Sequence, residues 1–436
     1  MNSLFEKKLS QWIVAIVACI TLVGALIVSK RDFEIELSIG VYAGSYWNTP
    51  GVDTYQILDN AIEQFEKKYP NVHITYESGI MADDYSEWLA EKLLKGEEPD
   101  LFFVLPEDFS LLVRSGALEN LDSIIKKDTS FNKDIYYPAS LSAGTYQNSL
   151  YAIPYESVPT IMFFNKTLLE TNGIAIPDEN WTWDDFYNIC ASVTDIEKHQ
   201  YGVYGYTWQD AVYSNGASIF SEDGTSCYLG DEAVLESIYF TKRLNDLNQG
   251  YTVSARDFDN GNVAFRPFLY ADYRAYQPYP WRVKKYTNFE WDAITMPAGP
   301  QGDNISEMHT MLIGLSDRGF NQRYAWEFAK LLSAGEDAQM DLYRYSAGIS
   351  PIIHVAENEE TVMMIQQDIP GGSVFDQDVI ARIMNTAATT PNFSLYSQAM
   401  QLTDTRVSEQ LTELQINRSN LLAAQREVNQ FLHKNQ

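Results

Sequence analysis

The sequence predicts an α/β protein of two lobes, each a doubly wound sheet flanked by helices, with a hinge between them. Three observations lead there. Residues 34–105 switch between period-two and helical apolar spacing as strand, helix, strand, helix, strand. The chain has 436 residues, more than one ordinary core accommodates, and 45% of them are apolar, enough to fill two. Between the two halves, Tyr146–Leu169 has the pattern of a strand that leaves one core and enters another.

In chain order, an uncharged apolar stretch, Trp12 to Val28, follows Lys7 and Lys8 and stops at Ser29-Lys30-Arg31. It approaches the length of one membrane crossing and predicts an uncleaved anchor, with residues 1–32 forming a cytoplasmic tip and transmembrane segment. A signal peptide is the alternative. Ile16-Val17-Ala18-Cys19 resembles a lipobox, which would make Cys19 the lipidated start of a mature lipoprotein. As an anchored protein or as a lipoprotein, the remaining chain is expected outside the cell membrane and attached to it.

Glu34–Val41 alternates as a first strand, and Asp53 or Thr54 can cap a helix whose inward face is Leu58, Ala61, Ile62, Phe65 and Tyr69. Val72, Ile74 and Tyr76 alternate again. Trp88, Leu89 and Leu93 share a helix face that ends at Gly96, and Leu101–Leu105 is a buried strand. In the crossover, Pro154 and Pro159 bracket Tyr155–Val158. Prolines remove ladder donors, so this piece suits a hinge better than a sheet centre. Ile161–Phe164 is continuously apolar, as a strand buried on both faces requires, and Asn165 opens the next helix. Thr182 caps a helix with Phe186, Ile189, Cys190 and Val193 inward, Tyr201–Cys227 is expected as loop, and Asp231–Asn248 as an amphipathic helix. Phe289–Ile294 and Met308–Leu315 are return strands, and the C-terminal part is helical, ending in one helix over Ser408–Leu432. The lobes are expected to be 33–156 plus 307–355, and 157–306 plus 356–436.

Thirty-one basic against fifty-nine acidic side chains give a formal charge of −28, which disfavours nucleic acid as a partner. No His or Cys spacing suggests a metal, and no cofactor is implied. Cys190 and Cys227 could pair, but spacing leaves this open.

In doubly wound sheets ligands sit beyond the carboxyl ends of the strands. The loops there hold Tyr42, Tyr46, Trp47 and Asn48, then Glu107 and Asp108. Rings that stack on pyranose faces, beside amides and carboxylates that accept hydroxyl protons, are what a sugar requires. Stacking candidates are Trp47, Trp208, Tyr270, Tyr273, Tyr276 and Trp281, the last four in Leu269–Trp281, expected as a tyrosine-dense loop. Polar candidates are Glu107, Asp108, Glu156, Asp210, Arg274 and Glu307, with His309 close by. The competing reading makes the rings packing residues and the charges solvated surface.

The pattern of Tyr-x-x-Pro, apolar run, Asn-Lys and Leu-Leu in the crossover resembles extracellular solute-binding proteins of ABC importers, in the sugar-binding family related to maltose-binding protein. FEKKYP (65–70), GEEPDLF (96–102), GALENL (116–121), WTWDDF (181–186), FDNGNVAF (258–265) and AWEFAKLL (325–332) carry the same resemblance in the family's order. It implies a type II periplasmic-binding-protein-like fold, a monomer without catalytic residues, hinge closure on a carbohydrate, and delivery to the ABC permease subunits. Where such proteins often have a glycine before the closing helix, Gln415-Ile416-Asn417 is expected to lengthen that helix. Two alternatives stay open. An extracellular carbohydrate-active hydrolase needs two carboxyl groups set across the bond, and no pair has independent support. A ligand-binding ectodomain could instead serve a separate membrane sensor.

Overall fold

The computed structural model describes residues 34–49, 51–276, 289–367 and 377–435. The apolar stretch 12–28 with Cys19 lies outside them, as does Trp281, and no helix among the described residues is long and apolar enough to cross a membrane.

The strands are β1 (Ile35–Gly40), β2 (Val72–Thr75), β3 (Leu101–Val104), β4 (Thr145–Tyr146), β5 (Ser149–Leu150), β6 (Ala152–Asn165), β7 (Tyr201–Val203), β8 (Val263–Leu269), β9 (Trp291–Ile294) and β10 (Met308–Leu315). One sheet runs β2-β1-β3-β10-β6-β8-β7, with β9 also on β6. β1 pairs in parallel with β2 and β3, as crossover helices Thr54–Lys68 and Ala82–Lys95 require. The first is capped by Asp53, whose side chain accepts from Gln56 N at 3.1 Å, and the second ends at left-handed Gly96 (φ 69°).

β6 is buried along its whole length. Up to Pro159 it pairs antiparallel with β10, and from Thr160 onward with β8, with β9 joining at Met162. The chain therefore passes from one sheet into the next without ending a strand. The prolines do not interrupt it. The register slips by one between Met311 and Leu312, leaving Tyr155 as the extra residue beside Pro154, so the missing N–H falls where the ladder is already irregular. At the change of partner other segments lie alongside. Thr160 N donates to Glu307 O (2.8 Å), Ser157 and Ile349 exchange two backbone bonds (2.9 and 2.8 Å), and Met308 N donates to Ala388 O (2.8 Å).

The cores divide in the same way. Leu37, Phe65, Phe102, Tyr155, Leu312 and Trp326 belong to a cluster on the β1–β3 side. Met162 and Phe164 of β6 pack with Phe186, Cys190, Phe240 and Phe265 on the far side. The alternate residues Ile161 and Phe163 face a third cluster with Tyr270, Met308, Tyr343 and Ile383, as the two-residue period of a strand demands.

Four expectations change. Tyr201–Cys227 is not all loop, because β7 and helix Trp208–Ser214 occupy part of it; Thr207 and Asp210 form a capping box there, with Asp in the third position where Glu or Gln is more usual. Leu269–Trp281 begins with the last residue of β8 and helix Tyr270–Tyr276. The C-terminal helix is two, Tyr396–Thr412 and Arg418–Asn435, packed on each other and sharing a core with helix Glu232–Asp246, with Val407, Leu421 and Val428 inside. Gln415-Ile416-Asn417 makes the break: Asn417 N donates to Gln410 Oε1 (3.1 Å) and its side chain accepts from Ser419 N (2.9 Å). Cys190 and Cys227 are free thiols in separate cores.

Asn165 closes β6, fully buried: its Oδ1 accepts from Leu168 N and its Nδ2 donates to Gly261 O, both at 2.9 Å. Asn165→Ala removes a helix cap and strands a carbonyl, and should cost about 2 kcal/mol. Urea denaturation measures this, with Asn165→Asp expected to retain the cap and lose the Gly261 bond.

Candidate functional site

Two hollows share a wall, and the first reaches β6 where it changes partners. The first, of about 460 Å3, lies between Thr160 of β6, Glu307 and His309 at the start of β10, Arg266 and Phe268 of β8, and helix Trp208–Ser214. The second, of about 590 Å3, is lined by the β4–β5 hairpin (Tyr146–Asn148), by 217–223 and by 388–392. Tyr213 and Tyr396 belong to both and form the wall between them.

Each side chain has an identifiable support. Tyr213 lies in the helix that starts at Trp208, whose indole N–H donates to Asp404 Oδ1 (2.9 Å); Gln209 Nε2 donates to the same oxygen (3.0 Å). Asp404 lies on the helix that Tyr396 opens, so this oxygen holds both tyrosine-bearing helices together. Tyr213 Oη donates to Glu307 Oε1 (3.5 Å), and His309 Nε2 is 3.9 Å from Glu307 Oε2. Asp210 accepts from Thr207 N (2.8 Å) and Oγ1 (2.7 Å). Enclosure of the carboxyl nevertheless pushes its pKa up to about 6, with Glu307 adding like charge. Burial also raises Tyr213 and Tyr396, so both hydroxyls remain donors at neutral pH.

Trp47 lies near this constellation, its ring 6.1 Å from that of His309 and edge-on to Tyr46 at 4.7 Å; Tyr46 Oη donates to Glu107 (2.7 Å). Glu156, expected as a ligand contact, is buried, 4% exposed. Its carboxylate accepts from Ser346 Oγ (2.5 Å), Gly348 N (2.6 Å) and Trp47 Nε1 (3.5 Å). Only glycine fits at 348, where a Cβ would lie 2.3 Å from Glu156 Cγ. Burial raises the Glu156 pKa, and these donors together with Arg274 oppose the rise.

Of the other expected residues, Glu307 and Asp210 line the first hollow. Asp108 accepts from Ser86 Oγ (2.5 Å) and ties two lobe elements. Trp208, Tyr270 and Arg274 are interior, 2%, 0% and 8% exposed, because helices replace the expected loops; Arg274 Nη2 donates to Tyr343 O (2.8 Å). Tyr273 and Tyr276 fall in helix Tyr270–Tyr276. Arg266, Asp272, Tyr213 and Tyr396 were not anticipated. Arg266 carried a signal, a lone charge inside the apolar strand VAFRPFL; Tyr396 carried none, since it arrives from far along the chain. Among the described residues no group of three His, Cys, Asp or Glu side chains could hold a metal ion.

Residues 48–338 match the bacterial extracellular solute-binding protein family. A binding protein of Brucella abortus is 24% identical over 327 residues, 71% of this chain and 74% of its own. Solved structures share the fold. An ABC substrate-binding protein of Listeria monocytogenes in complex with cycloalternan gives a TM-score of 0.69 at 20% identity, covering 92% of this chain and 99% of that one. A cyclic alpha-maltosyl-1,6-maltose binding protein of Arthrobacter globiformis gives 0.76 at 15%, with the same coverage. A Staphylococcus aureus extracellular solute-binding protein in complex with maltose gives 0.70 at 16%, covering 92% and 98%.

The Asp210 carboxyl is held at about pH 6 in the native state and near 3.9 when unfolded, so between these values only the native state carries the proton. Its contribution to stability is therefore greatest below about pH 4 and falls as pH rises to about 6. Unfolding free energies of the wild type relative to Asp210→Asn should decline over that window and level off above it. A difference independent of pH would contradict the assignment.

Proposed function

The chain belongs to the bacterial extracellular solute-binding protein family, and we propose that within it this protein captures an oligosaccharide outside the membrane and delivers it to an ABC permease. The observation that carries this reading is the pair of hollows separated by Tyr213 and Tyr396, the first of them at the change of partner in β6 and furnished with Glu307, His309 and Asp210. Rings supply flat apolar area, carboxylates accept hydroxyl protons, and hydroxyls donate in return. The structural likeness to proteins named for cycloalternan, cyclic maltosyl-maltose and maltose supports the same ligand class.

Ligand touching both sides of the crossover favours a closed arrangement, by no more than its difference in affinity for the two states. The lobes are 33–156 plus 307–355 and 157–306 plus 356–436. Trp12–Val28 tethers the molecule, which works as a monomer and carries out no chemistry on its ligand.

Calorimetric titration against a panel of neutral oligosaccharides tests the site. Tyr396→Ala should weaken binding roughly tenfold or more, about 1–3 kcal/mol, while Tyr396→Phe retains most affinity and apo melting shifts little. Unchanged affinity per folded Tyr396→Ala molecule would place the ligand elsewhere.

A further inference from the structure

The first hollow has an uneven charge. Asp210, Asp272 and Glu307 line it, against a single guanidinium, Arg266, among the described lining residues. That guanidinium is already engaged. Its central carbon lies 3.8 Å from the ring centre of Phe268, 4.9 Å from Tyr204 and 5.1 Å from Phe258, an arrangement in which the ring faces meet the positive charge. Its remaining charge acts on Asp272, whose carboxylate it favours against burial. Asp210 accepts from the Thr207 amide and hydroxyl, and Glu307 from the Tyr213 hydroxyl, with the His309 imidazole 3.9 Å from its other oxygen.

We propose that Asp210, Asp272 and Glu307 make this hollow a charge filter, which admits neutral or cationic carbohydrate and rejects carbohydrate bearing carboxylate, sulfate or phosphate. The inference rests on the carbohydrate reading above and adds the charge class of the ligand. A hydroxyl can donate to a carboxylate; an anion cannot, and it meets like charge in a cleft partly shielded from water. An amine-bearing sugar would meet the carboxylates of Asp210 and Glu307, the second with the His309 imidazole 3.9 Å away.

The test is calorimetry on the intact protein near neutral pH. The probes are neutral gluco-oligosaccharides, maltotetraose and cellotetraose among them, each beside its C6-oxidised uronate and its 2-amino counterpart. For every neutral binder the uronate should bind roughly tenfold or more weakly, and the amine no more weakly. Glu307→Gln should narrow the gap between neutral and uronate forms, and Asp210→Asn, which keeps an acceptor for Thr207, should do so independently. Uronates binding as well as or better than the neutral sugars would overturn the filter and make Arg266 an anion receptor. Binding of neutral sugars with no discrimination sinks the filter alone; failure of every probe sinks the carbohydrate reading with it.

Discussion

Everything in this molecule is arranged around one strand that must satisfy two sheets. β6 has its full set of backbone groups buried, so each must find a partner, and no single neighbour spans its length. β10 covers it as far as Pro159, and β8 and β9 cover it from Thr160 and Met162. The prolines belong to this solution. Pro154 stands at the register slip and Pro159 at the last β10 pair, where a missing donor disturbs least. The segments around Glu307, Ile349 and Ala388 lie against the same few residues, so any relative movement of the two sides must be taken up there.

The electrostatics follow from that crowding. Glu156 lies on β6 just before the change of partner, buried, with three donors converging on its carboxylate. A buried carboxylate so held is costly to leave unpaired, and it therefore fixes what surrounds it. Trp47 and the 346–348 turn are positioned by the same two oxygens. Glu307 and Asp210 lie further out and line the first hollow.

The architecture was largely legible in the sequence because it is written in local periodicity. Asp53, Gly96, Asn165 and Thr182 each close or open a helix as their chemistry predicts. The crossover was visible in Ile161–Phe164, though its prolines suggested a break that a bulge avoids. The site was less legible, for a physical reason: its walls come from β6, β8, β10 and helices more than a hundred residues apart. Trp208 and Tyr270 looked like binding rings by composition and are interior by packing. Tyr396 and Arg266 are brought to the hollow by contacts that no local pattern encodes. The break at 413–417 depended on Gln410 and Asn417 side chains capping the chain, a competition between side chain and backbone that helix spacing does not reveal.

The central claim is that ligand bridges the two sides of β6 and draws them together. Small-angle X-ray scattering of the protein, free and saturated with an oligosaccharide that calorimetry shows to bind, addresses it directly. The account predicts a smaller radius of gyration in the bound state, and a Glu307→Gln variant that compacts only at higher ligand concentration. Saturated binding with an unchanged radius of gyration would contradict closure about the crossover strand.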